Sequence, residues 1–154
     1  MLNIGDKIPE TLGVNEAGVE VTRTQFSGQK LIIYFYPKDN TSGCTAQACS
    51  LRDDFHELAA LGYNVIGVSS NSAESHQKFI AKHNLPFTLI ADTTLNLHET
   101  FGTWGEKSMC GRKYMGTLRT TFLVDADGTI THIFNPKQIN TKTHAQQIIK
   151  ALTN

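Results

Sequence analysis

Leu31-Ile32-Ile33-Tyr34-Phe35-Tyr36 is an unbroken apolar run stopped by Pro37, and it constrains this chain more than any other feature. Such a run reads as a strand buried on both faces, so other structure must cover it above and below. The period then changes. Cys44, Ala48, Leu51, Phe55 and Leu58 recur at spacings of four and three, which is one face of a helix, and Gly62 is a C′ stop. Val65 to Ser70 is a second buried strand. A helix opened by Asn71 or Ser72 carries Phe79 and Ile80 and closes at Leu85-Pro86. Phe87 to Ala91 reads as a third strand and Leu95 to Phe101 as a short helix. Thr120 to Asp125 and Thr129 to Phe134 flank Asp127-Gly128, a hairpin signal, and a last helix uses Ala145, Ile148, Ile149 and Leu152. Upstream, Leu12 to Val21 around Glu16-Ala17-Gly18 reads as a short hairpin.

Strand-helix-strand-helix-strand order requires parallel crossovers, while the closing hairpin is antiparallel. The expected class is α/β: a mixed central sheet flanked by helices on both faces, with an N-terminal hairpin, in the thioredoxin-like layout. A chain of 154 residues with no repeat, low-complexity tract or linker fits one domain over residues 1–154. Lysine plus arginine equals aspartate plus glutamate at 14 each, so no net charge draws the chain to nucleic acid or to an anionic membrane. Met1-Leu2-Asn3-Ile4-Gly5-Asp6 has no basic stretch leading into an apolar one, so it does not read as a signal peptide, and no later run has membrane-spanning length. A cytoplasmic site of action is expected. In a reducing compartment, a close pair among three cysteines points to redox catalysis or metal binding rather than to a structural framework.

Cys44 follows a strand, a proline and a short polar loop, and falls in the first turn of a helix. Free amides and the positive end of the helix dipole favour a thiolate there. Thr41 or Ser42 can cap this helix, Gly43 lets the backbone approach a small substrate, and Pro37 stiffens the entry. Cys49 lies five residues on. Within one helix the two Cα atoms are about 8.5 Å apart, from a rise of about 7.5 Å and a turn of about 140°. A disulfide needs about 7 Å or less. Either the pair never bonds, or the first turns unwind when it does; the expectation is that oxidation melts the start of this helix. The chain has no Cys-x-x-Cys, which disfavours a general thiol-disulfide oxidoreductase. Cys44, Cys49, Cys110 and the scattered histidines lack the spacing of a zinc or copper site, so neither metal nor cofactor is expected.

Pro37-Lys38-Asp39-Asn40-Thr41-Ser42-Gly43-Cys44 resembles the peroxiredoxin signature: Pro, three residues, Thr, two residues, Cys. Tyr34 through Asp53 looks like its bacterioferritin comigratory protein, or peroxiredoxin Q, branch. Phe101-Gly102-Thr103-Trp104-Gly105-Glu106-Lys107 and Arg119-Thr120-Thr121-Phe122-Leu123-Val124-Asp125 are similar to two further segments of that branch. The resemblance runs from about Gly5 to the C-terminus. It implies a thioredoxin-like fold and a thiol peroxidase, an antioxidant enzyme that reduces hydrogen peroxide and organic hydroperoxides. It implies Cys44 as the peroxidatic and Cys49 as the resolving cysteine, joined in an intramolecular disulfide that thioredoxin or a similar dithiol recycles. Pro37, Thr41 and Arg119 match residues that shape the peroxide pocket, Gln47 stands where other members often carry Glu, and Ser42 replaces a common proline. Many members are monomers, so a monomer is expected.

Arg119 beside Cys44 would favour the thiolate and donate to a peroxide oxygen. The Thr41 hydroxyl can accept from one peroxide oxygen and donate to the other, and amides at the helix start can take up charge on the leaving oxygen. The substrate-binding set is therefore Thr41, Gly43, Cys44, Gln47 and Arg119. Cys110 reads either as an alternative resolving thiol or as a spare, partly buried cysteine. Trp104 reads as a packing or pocket-wall residue, His132 as a strand-face residue, and Glu99, Glu106 and the aspartates as surface or turn residues. A rival from outside enzymology is a redox-gated chaperone whose unwinding helix exposes apolar surface.

Overall fold

The computed structural model describes residues 1–153. In chain order the elements are β1 (Thr11–Val14), β2 (Glu20–Thr22), β3 (Lys30–Phe35), α1 (Ser42–Asp53), α2 (Phe55–Ala60), β4 (Tyr63–Ser69), α3 (Ala73–His83) and β5 (Thr88–Ala91). They continue as α4 (Asn96–Phe101), β6 (Trp104–Met109), β7 (Arg112–Thr117), β8 (Thr120–Val124), β9 (Ile130–Phe134) and α5 (His144–Thr153). Short 3-10 turns precede β3 and α5. The central sheet has the order β5-β4-β3-β8-β9. β3 runs parallel to β4 and antiparallel to β8, and β4 runs parallel to β5, so the sheet is mixed. β1 and β2 form the expected N-terminal hairpin.

Every residue from Leu31 to Tyr36 is buried, at 2% exposure or less. Because alternate side chains point to opposite faces, the run splits between two cores. Ile32, Tyr34 and Tyr36 pack with Cys44, Ala48 and Leu51 of α1, Phe79 of α3 and Ile148 of α5. Leu31, Ile33 and Phe35 pack against Leu12 and Val21 of the hairpin and Leu97 and Phe101 of α4. Both right-handed crossovers, β3 to β4 and β4 to β5, step the same way along the sheet, which puts α1 and α3 on one face.

Two details differ from expectation. The apolar stripe Cys44 to Leu58 is carried by two helices, not one. The chain breaks at Asp54 (φ −105°, ψ 15°), after Asp53. Adjacent aspartates disfavour a helix interior, and their charge suits the start of α2 better than the end of α1. The second difference is the β6–β7 ribbon, which the sequence pattern does not mark. Its side chains are mostly solvated, so no apolar alternation betrays it. It turns at Cys110-Gly111, both with positive φ (51° and 79°), as a two-residue hairpin turn requires.

Candidate active site

Cys44 is the third residue of α1, and Pro37 sits just beyond β3 in the loop that leads into this helix. Thr45 N–H is bonded back to the Thr41 carbonyl at 2.9 Å, so the amides of Ser42, Gly43 and Cys44 precede the first helical hydrogen bond. Thr41 is the N-cap by position, but its side chain makes no capping bond. This corrects the capping expectation: the hydroxyl turns back and donates to the Lys38 carbonyl at 2.8 Å. The donation commits the Thr41 proton and leaves its lone pairs free to accept, so the hydroxyl is set to receive a hydrogen bond from a peroxide. With no side-chain oxygen laid over them, the helix-start amides keep their partial positive charge for the sulfur and its substrate.

Arg119 immediately precedes β8, and Thr120 pairs with Phe35 at the end of β3. That register delivers the guanidinium to the start of α1. Arg119 Nη2 lies 3.4 Å from Cys44 Sγ, and Nη1 donates to Gln47 Oε1 at 2.5 Å. Gln47, one turn beyond Cys44, is fully buried and holds the guanidinium in place. A β-carbon on Gly43 would sit 3.4 Å from Arg119 Nη2, in ordinary contact, so the guanidinium packs directly over the start of α1. Cys44 is 1% exposed. A cation at this distance interacts with a charged sulfur more strongly than with a neutral thiol.

Cys49 is half-buried and shares an unbroken α1 with Cys44; all three cysteines are free. Cys110 is exposed at the ribbon turn, which corrects the partly buried reading. Trp104 is half-buried with its ring edge-on to His98, 5.7 Å between centroids.

Three features were not legible in the spacing. Lys107 of β6 is half-buried, and its Nζ donates to the Thr117 carbonyl at 2.9 Å. Burial holds the Lys107 ammonium below the usual lysine pKa, the Arg119 guanidinium adds to the effect, and the Cys44 sulfur opposes it. Lys107 is therefore a further cation near this site, on the same strand as Trp104. Second, Asp39 and Asp92, expected at the surface, are buried against His76 and His98 at 2.7 and 2.6 Å. Third, the Tyr34 hydroxyl and Gln47 Nε2 are buried without a protein partner among the described residues. Tyr34 lies on the β3 face that packs against Cys44. Burial pushes its phenol well above the usual tyrosine pKa, and the Cys44 sulfur pushes in the same direction.

Among the described residues no three His, Cys, Asp or Glu side chains gather as a metal site, and no helix is long and apolar enough to cross a membrane.

The model of the AhpC/TSA family matches residues 4–133. Peroxiredoxin Bcp of Escherichia coli strain K12 is 42% identical over 151 residues, 98% of this chain and 96% of that protein. Peroxiredoxin Bcp of Bacillus subtilis strain 168 is 39% identical over the same length, 98% of this chain and 95% of its own. The structure of the Xanthomonas campestris bacterioferritin comigratory protein, described for its alkyl peroxide reduction activity, superposes with TM-score 0.83 at 30% identity. The match covers 96% of this chain and 97% of that one. A Xylella fastidiosa PrxQ structure gives TM-score 0.88 at 28% identity, covering 99% and 96%.

Proposed function

From the premise that this chain belongs to the AhpC/TSA family, as a peroxiredoxin of the Bcp and PrxQ group and so a thiol peroxidase, we propose how its residues divide the reaction. Its substrate is a peroxide and its reductant a thiol. In the proposed cycle the Cys44 thiolate attacks the terminal oxygen of R–O–O–H. The S–O bond forms as the O–O bond breaks, the leaving RO⁻ takes a proton and departs as alcohol or water, and Cys44 becomes a sulfenic acid. Thr41 accepts the peroxide hydrogen bond. Arg119 and the amides of Gly43 and Cys44 take up charge on the reacting oxygens. Gln47 holds Arg119, and Pro37 fixes the entry of the loop. Cys49 then displaces water from the Cys44 sulfenic acid to form a disulfide, and a dithiol such as thioredoxin reduces it by exchange.

The observation that carries this reading is the Arg119 guanidinium held 3.4 Å from a buried cysteine sulfur at a helix start. We further propose that the protein works in the cytoplasm as a monomeric single domain spanning residues 1–154. It acts on free peroxide, without nucleic acid, membrane, metal or cofactor. A thioredoxin-coupled peroxide assay on wild type, Cys44→Ser and Cys49→Ser tests the assignment. Cys44→Ser should not turn over. Cys49→Ser should consume about one equivalent of peroxide and stall unless a small thiol is added. Full activity in Cys44→Ser overturns the assignment of the nucleophile. Full thioredoxin-linked activity in Cys49→Ser moves resolution to Cys110 or to another molecule.

A further inference from the structure

We propose that Asp39 and His76 are positioning residues for peroxide attack: their buried pair anchors the loop from Pro37 to Thr41 to α3 and fixes the upstream limit at which α1 can unwind. This inference rests on the peroxidase reading above and adds a part to it. Asp39 stands two residues before Thr41 and five before Cys44. Its Oδ1 accepts from the Tyr36 hydroxyl at 2.6 Å, and its Oδ2 accepts from the Ser75 hydroxyl at 2.7 Å and faces His76 Nδ1 at 2.7 Å. The Asp39 amide donates to Asn71 Oδ1 at 2.9 Å, and the Ser69 hydroxyl donates to that same oxygen at 2.9 Å. The far nitrogen of His76, Nε2, lies 3.0 Å from the Ile90 carbonyl. The Asp39 carboxylate thus ties the exit of β3 to the first turn of α3 and, through His76, to β5, while the Asp39 amide ties the same loop through Asn71 to the end of β4.

The anchor is dry: the two side chains are at most 1% exposed. Burial alone would raise the Asp39 carboxyl, but hydrogen bonds from His76 and Tyr36 outweigh it and hold the group below its usual range. A buried charge with this many donors resists displacement, because losing any partner leaves a polar group unpaired away from water. Between the anchor and Thr41 sits Asn40, in the left-handed region with φ 64°. Asparagine tolerates that conformation better than most side chains, so it turns the chain into α1 at little cost. The Lys38 carbonyl that receives the Thr41 hydroxyl belongs to the same short segment. Fixing Asp39 therefore fixes both the acceptor that orients Thr41 and the point from which α1 starts.

Such an anchor has opposite effects on the two halves of the cycle. Attack needs the folded loop, whereas closure of a Cys44–Cys49 disulfide needs α1 open. Asp39→Asn and His76→Gln should therefore slow the single-turnover reaction of Cys44 with hydrogen peroxide by about tenfold and speed the later closure step. In the reduced proteins, amide hydrogen exchange at Thr45–Ala48 should rise by about tenfold, while exchange in β3 and β4 stays at wild-type values. Leu97→Ala, in the opposite core, is the control for general destabilisation. Should either polar variant fail to fold, Ser75→Ala removes a single bond to Asp39 and should move the same rates in the same directions by about threefold. The proposal is overturned if the folded variants attack peroxide at the wild-type rate. It is also overturned if attack and closure slow together as in Leu97→Ala, or if exchange at the start of α1 is unchanged. Wild-type protein that consumes no peroxide would sink the peroxidase reading instead, and the exchange measurement would still decide the anchor.

Discussion

The guanidinium of Arg119 serves two partners at once, and the residues around it can be ranked by how they share it. One nitrogen faces Cys44 and the other Gln47. A lysine has one compact ammonium and cannot span both, so Arg119→Lys should slow Cys44 oxidation by about 100-fold in stopped-flow single turnovers. Gly43→Ala tests the same contact from below. The new methyl would meet Nη2 at 3.4 Å and Thr141 Cγ2 at 3.9 Å, ordinary contact distances, so attack should stay within about twofold of wild type. Urea melts should meanwhile show stability unchanged or raised by about 0.5 kcal/mol, because alanine suits a helix better than glycine. Tyr34→Phe removes a buried hydroxyl with no protein partner among the described residues and should raise reduced-state stability by about 1 kcal/mol. The sequence marks Cys44, Thr41 and Gly43 through helix-start chemistry, and Arg119 through resemblance. It does not mark Lys107 or Asp39, because each owes its place to a partner far along the chain or to a backbone carbonyl. Nothing in residue type or spacing signals such a partnership.

Helix α1 is held unevenly, and that shapes how it can open. Its second half is fastened: the Ser50 hydroxyl accepts from the Ala145 amide of α5 at 3.1 Å, and Arg52 Nη1 donates to the His83 carbonyl at 2.8 Å. Its first turn is held by the Arg119 contacts to Cys44 and Gln47, and Gly43 lies beside Thr141 of the short turn before α5, with no backbone hydrogen bond to another element among the described residues. Oxidation should therefore unwind the stretch from Ser42 to Cys49, about two turns, and leave Leu51 onward in place. A fall in helical circular dichroism on adding one equivalent of peroxide, reversed by dithiothreitol, checks this; an unchanged spectrum in a protein shown to hold the Cys44–Cys49 bond would contradict it. At this scale the apolar stripe located the helix correctly but missed the break at Asp54, since periodicity reports a face and not the continuity of the backbone. The β6–β7 ribbon escaped for the converse reason: with both faces largely in water it has no apolar pattern to read.

The whole molecule is two cores back to back on one sheet, and its response to acid follows from a group buried at the edge of one of them. His144 is fully buried, with Nδ1 3.0 Å from Gln147 Oε1 and Nε2 2.8 Å from the Thr121 hydroxyl. Burial lowers its imidazole to about 4 from 6.5, only partly offset by the Gln147 bond. The unfolded chain takes up this proton near the ordinary value and the folded chain only near the lowered one, so acid favours unfolding in between. The resulting stability is complete above roughly pH 6.5 and lost as pH falls toward 4, by an amount on the order of 3 kcal/mol. His144→Gln should flatten that part of the profile in denaturant melts at successive pH values. The topology itself was legible, because alternating periods and a turn at Asp127-Gly128 leave few ways to order the strands. The antiparallel insertion of β8 beside β3 also has a consequence for synthesis. Cys44 and Arg119 are 75 positions apart. A growing chain therefore leaves the ribosome with its thiol bare, without its cation and without the strand that buries it. Reactivity toward peroxide should switch on only after the segment beyond Arg119 has emerged, and a chain stalled at the ribbon turn should carry an ordinary, slow cysteine.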